Sequence, residues 1–129
     1  MTLAQLTELM REGHAIGAHS ITHRMLTTLE AVDIFWEVRG SKEQLETQLN
    51  TSIDMFCYPS GAYNTLVKKA VKSSGYLGAC SVEPGANTVG VDPYALKRTE
   101  ISGFDTLWDF EKKPAGAYDW LHRAVQGMR

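Results

Sequence analysis

Three short apolar runs, HAIGAHS (14–20), SIDMFCY (52–58) and YLGACSV (76–82), are separated by stretches whose hydrophobic residues recur at helical intervals. That alternation constrains the fold more than any other feature of the chain. A strand, a helix and a further strand in succession form a crossover that returns to the same end of the sheet. The strands therefore run parallel, and the helices pack outside them. Thr2 and Gln5 have capping-box spacing, and Leu3, Leu6, Leu9 and Met10 predict a helix from about Thr2 to Glu12 that Gly13 stops. HAIGAHS reads as a buried strand ending near His19. Val32, Phe35, Trp36, Leu45 and Leu49 predict a long helix over about Leu29 to Leu49, bent near Gly40-Ser41. Pro59-Ser60-Gly61 closes the second strand, and Asn64 caps a helix bearing Leu66, Val67, Ala70 and Val71 that ends at Gly75. A loop from Glu83 to Tyr94 leads to LKRTEI (96–101), a short strand, and then to helical patterns at Thr106–Phe110 and Tyr118–Val125.

With 129 residues, 43% of them hydrophobic and 22% charged, the chain has the length and composition of a single globular domain, 1–129. A net charge of −2 with interspersed signs gives no footprint for nucleic acid or an anionic membrane surface. MTLAQLTELMREG is not a secretory leader, and no apolar run is long enough to span a bilayer, so the chain as written reads as cytoplasmic and not membrane-inserted. Cys57 and Cys80 each fall in an apolar run, which suits small buried thiols better than a disulfide or a Cys-based zinc site.

In parallel α/β folds ligands gather at the carboxyl ends of strands. Two stretches occupy that position, H-S-I-T-H (19–23) and Y-P-S-G (58–61). Taken alone, two histidines four apart describe a pair of solvated or structural side chains more readily than a metal site. Position favours the metal reading, since neutral imidazoles are good ligands for Zn²⁺ and similar ions, although a catalytic centre needs a third protein ligand, most naturally a carboxylate. Ser20 and Thr22 are placed to orient the turn through backbone hydrogen bonds. His14 and His122 match no motif. The lysines at 68, 69 and 72 read as a solvated helix face, and Trp36, Trp108 and Trp120 lie on helical faces where core packing is expected.

GAHSITH followed by MLTTL, then FCYPSGAYN, then DPYALKRTEISGFDTLWDF, resembles the polysaccharide deacetylase family, the NodB-homology carbohydrate esterases, in order from about Gln5 to Phe110. The similarity is to the branch carrying F-x-Y-P-x-G, and the family's H-[ST]-x-x-H matches His19, Ser20 and His23. The resemblance implies a partial, distorted (β/α) barrel that removes acetyl groups from N-acetylated sugars or polysaccharide with a divalent metal, zinc foremost and cobalt or nickel as alternatives. It further implies His19 and His23 as metal ligands, the Ser60 backbone N–H as oxyanion donor, and Tyr58, Pro59, Tyr63 and Arg98 along the sugar cleft. Family enzymes carry an earlier strand ending T-F-D-D-G that supplies the catalytic-base and metal-ligand aspartates, and no such segment occurs here. Asp33, Asp54 and Asp92 match no motif that would replace it, Cys57 stands where many members have an arginine, and the L-x-H segment is absent. The chain is thus expected to be the carboxyl-terminal portion of a deacetylase, weakly active or inactive alone. The alternatives are a non-catalytic remnant that binds metal or sugar, or serves as an interaction module, and a cyclic-amide hydrolase on the same scaffold. An unpaired edge at the first strand further predicts a homodimer or higher oligomer.

Overall fold

The computed structural model describes residues 1–116, so the helical pattern expected at Tyr118–Val125, with Trp120 and His122, lies outside the described residues. Helix α1 spans Leu3–Arg11, and Thr2 and Gln5 exchange both bonds of the expected capping box. Helix α2 covers Ala31–Leu49 and runs unbroken through Gly40-Ser41, where a bend was expected. Gly40 has another purpose: a Cβ there would stand 2.7 Å from Ile21 Cδ1, so its absence admits the H-S-I-T-H loop against the helix. Asn50 ends α2 in the left-handed conformation, which asparagine tolerates. Strand β1 is Met55–Cys57, helix α3 is Thr65–Ser73 with the Asn64 side chain accepting from Val67 N–H at 2.9 Å, and strand β2 is Gly78–Cys80. Helix α4, Leu107–Lys112, follows a second capping box built by Thr106 and Asp109.

β1 and β2 pair in parallel, Phe56 opposite Ala79 and Cys57 opposite Cys80. The first and last strands read from the sequence are each reduced to a single parallel bridge, Ala18 to Phe56 and Leu96 to Cys80. Ala18 gives its N–H to Met55 O at 2.9 Å and takes that of Cys57 at 2.8 Å. Four chain segments thus lie side by side in one parallel order: Ala18, β1, β2, Leu96.

Alternation along the strands divides their side chains between two faces. Phe56 and Ala79 point to the helices and are buried with Ala18, Leu26, Ile34, Val38, Ile53, Tyr58, Val67, Val71 and Tyr76. Met55, Cys57 and Cys80 point the other way and are half-buried, both cysteines being free thiols. Parallel sheets are ordinarily covered on both sides, and here α2 and α3 cover one. Trp36 and Trp108, expected in the core, are 56% and 62% exposed. Helical periodicity assigned them to a face without showing that anything packs on it.

Candidate functional site

The H-S-I-T-H loop leaves the sheet just after Ala18, and the Pro59–Gly61 turn leaves β1 one residue past its end, so both emerge from the same end of neighbouring parallel segments. The non-glycine residues with positive φ among the described residues are Asn50, the helix cap, and Ser20 (64°), His23 (59°) and Ser60 (55°). All three of the latter belong to these two loops. Left-handed backbone is costly for residues with a Cβ and persists where the surroundings over-determine it, most often at functional sites.

His19 and His23 are exposed, with ring centroids 4.7 Å apart and planes at 70°. His19 Nδ1 lies 2.7 Å from Cys57 O. A carbonyl only accepts, so in the neutral ring Nδ1 carries the proton and Nε2 keeps a free lone pair. That arrangement suits a metal ligand, whose second nitrogen is normally fixed by such a bond. His23 is held through its backbone, its N–H donating to Ser20 Oγ at 3.0 Å, as expected of Ser20. Thr22 departs from the expectation: its hydroxyl donates to the carboxylate of Glu37 on α2. The Ile21 and Thr22 N–H groups also donate to that carboxylate, at 2.8 and 2.9 Å to Oε2. Glu37 is fully buried. Burial pushes its carboxyl up, but the bonds from Thr22 and Ile21, with Arg24 nearby, outweigh that and hold it below the ordinary carboxylate range.

The donor set fits a divalent ion in part. Two imidazoles stand ready, and no group of three or more His, Cys, Asp or Glu side chains able to hold a metal occurs among the described residues. Asp33 lies in the first turn of α2, Asp54 precedes β1 at its opposite end, and Asp92 pairs with Lys68 at 2.6 Å. His14, which matched no motif, is exposed at the surface beside Glu12.

In the second loop, Ser60 is exposed and its N–H makes no bond to another described residue, while Gly61 N–H returns to Tyr58 O at 2.8 Å. Gly61 has φ of +68°, and a Cβ on it would lie 2.2 Å from Val82 Cγ2, so only glycine passes the end of β2 here. Tyr58 and Pro59, expected along the sugar cleft, are both buried, and the Tyr58 hydroxyl donates to Tyr94 O at 2.8 Å. Tyr58 continues the alternation of β1 and lies on the helical side with Phe56. Tyr63 stacks on the Tyr58 ring at 4.9 Å, remains partly accessible, and donates its hydroxyl to Glu83 Oε1 at 3.1 Å. Arg98 is exposed, its Nε donating to Ser81 O at 2.7 Å, and with Val82, Thr99 and Glu100 it borders a hollow of about 360 Å³. A hollow of about 530 Å³ between His14, Ile16, Asp54 and Met55 opens instead at the amino ends of the strands. The lysines are less free than expected, since Lys68 pairs with Asp92 and Lys72 lies over the Tyr94 ring, 5.9 Å from its centroid.

Glu37 is a residue that the sequence did not single out, since no motif marks it. Its spacing carried a signal: Ile34, Glu37, Val38 and Ser41 form one i, i+3, i+4, i+7 stripe, and all four are buried.

Known proteins resemble this chain in sequence and in fold. A family model described as polysaccharide deacetylase matches residues 2–79. YxkH of Bacillus subtilis, itself named after the polysaccharide deacetylases, is 30% identical over 102 residues, 79% of this chain and 37% of its own length. The solved deacetylase PplD of Streptococcus pyogenes, in complex with acetate, superposes with a TM-score of 0.83 at 23% identity, covering 88% of this chain and 50% of that one. A polysaccharide deacetylase from Bacillus cereus gives 0.78 at 22% identity, over 88% of this chain and 36% of its own. The chain therefore spans half or less of the length of each of these three relatives. The architecture is that of a partial, distorted (β/α) barrel of the NodB-homology type, with parallel strands inside and helices outside.

Proposed function

This chain belongs to the polysaccharide deacetylase family, and on that footing we propose that it carries the histidine pair and the strand-end loops of a metal-dependent hydrolase that removes acetyl groups from N-acetylated sugars or polysaccharide. The observation that carries the reading is the pairing of His19 and His23 at a strand end, with His19 Nδ1 taken by Cys57 O and Nε2 left free. In the reaction, water adds to the acetamide carbonyl, the C–N bond breaks, and acetate and the free amine leave. A bound divalent ion, zinc foremost, supplies Lewis-acid polarisation of that carbonyl. The chain's own part is to hold the two imidazoles in register, to offer the exposed Ser60 N–H to the developing oxyanion, and to receive sugar against Tyr63 and Arg98. No carboxylate stands with the histidines among the described residues, so the general base and third ligand come from elsewhere. Loss of a general base alone costs roughly 10²–10⁴-fold, and the chain by itself is assigned little activity. Acetate release from chitooligosaccharide is the test, and robust turnover by the purified 129-residue chain acting as a monomer would refute that assignment.

The incomplete donor set also supports a second reading, a non-catalytic module that binds metal or sugar through the same residues. We further propose that a second copy covers the free edge of the Ala18 segment, which pairs with β1 alone among the described residues.

A further inference from the structure

We propose that Glu37 is the positioning residue of the histidine pair: its buried carboxylate holds Ile21 and Thr22, and thereby sets where His19 and His23 point. The inference rests on the reading of the pair as a ligand site and adds the group that builds it. His19 and His23 lie at the two ends of a loop whose middle makes three hydrogen bonds to Glu37, two from N–H groups and one from a hydroxyl. Inside that loop Ser20 and His23 both take left-handed backbone. Each prefers another conformation, so the loop relaxes unless it is held from outside. Ser20 Oγ accepts from His23 N–H and closes the turn upon itself, but it cannot fix the turn to the rest of the protein. The His19 bond to Cys57 O ties down only the first residue of the loop; Glu37 attaches its middle, at the position on α2 just before the Gly40 gap that receives Ile21. A fully buried carboxylate is retained only when its partners satisfy it, and among the described residues every hydrogen-bond partner of the Glu37 carboxylate belongs to this loop.

Charge and geometry are separable by substitution. In Glu37→Gln the amide oxygen replaces Oε2 and accepts both N–H groups, while the amide nitrogen donates to a Thr22 hydroxyl that now accepts. Glu37→Ala leaves three donors without an acceptor. The experiment uses the whole chain in four forms, wild type, Glu37→Ala, Glu37→Gln and the distant core variant Val71→Ala, with two readouts. The first is Co²⁺ affinity by calorimetry, below the unfolding temperature of every form. The second is the nuclear Overhauser contact between the two imidazoles, which needs no metal. Glu37→Ala is expected to lose about tenfold or more in affinity, the size seen when a group that orients a ligand is removed, and to lose the ring-to-ring contact. Glu37→Gln restores both, and Val71→Ala lowers the melting temperature while leaving both in place. Wild-type affinity and ring contact in Glu37→Ala, or an equal loss in Val71→Ala, would overturn the proposal. Should the wild type itself bind no Co²⁺, the ligand reading fails and the ring contact alone decides the role of Glu37. Should Glu37→Ala not fold, Thr22→Val removes one of the three bonds and is read in the same way.

Discussion

At Gly61 the backbone turns with φ of +68° directly against Val82. Alanine there meets a left-handed backbone and the Val82 side chain at its branch point, so Gly61→Ala is expected to cost about 1–3 kcal/mol in denaturant unfolding. An unchanged midpoint would show that the turn adjusts. Glu37 gives a pH signature of the opposite sense to its burial. Its folded-state value is depressed, so its contribution is present above the unfolded carboxylate value and is lost as pH falls through the folded one. Stability should therefore drop on the acid side more steeply in wild type than in Glu37→Gln, measured by urea titration at several pH values; parallel curves would contradict this. The placement of His19, His23 and Ser60 at strand ends was legible in the sequence because the apolar runs stop just before them. The burial of Tyr58 and Pro59 was not legible, since the face on which a residue falls at a strand end depends on pairing that sequence does not display.

Helix α3 depends on Asn64, whose side chain caps Val67. Asn64→Ala should lower stability by about 1 kcal/mol, read as a shift in the urea midpoint, and no shift would mean that packing alone sets the start of the helix. Tyr76 ties the approach to β2 onto α2, its hydroxyl donating to Val38 O at 3.0 Å with Ser41 alongside. Burial raises that phenol from its ordinary 10 to about 12. A raised acid is neutral in the fold, so above pH 10 the unfolded chain gives up a proton that the native chain keeps. Stability then declines by up to about 1.4 kcal/mol per pH unit between roughly 10 and 12. Tyr76→Phe should flatten that decline, and an equal slope would assign it to other groups. Helix boundaries were legible because caps are local: Thr2 with Gln5, and Asn64, stand where expected, and the helical pattern read from Thr106 begins there. The outer strands were not. HAIGAHS has the composition of a strand, but only Ala18 makes ladder bonds, because strand extent is set by neighbours and its far side has none among the described residues.

At the scale of the molecule, among the described residues, a parallel sheet is covered on one face by α2 and α3, while Met55, Cys57 and Cys80 stand half-open on the other and the Ala18 edge has no second neighbour. Unpaired edges recruit further strands, so light scattering coupled to gel filtration should show a dimer or higher oligomer. A monomer persisting at high micromolar concentration would remove the proposal of a second copy. The pair of imidazoles at the carboxyl end of that sheet is put to the test by calorimetric titration of Zn²⁺ into the wild type and into the His19→Ala, His23→Ala double variant. Weak, saturable binding of one ion per site is expected in the wild type and none in the variant, whereas equal binding by both, or none by either, would remove the pair as a ligand site.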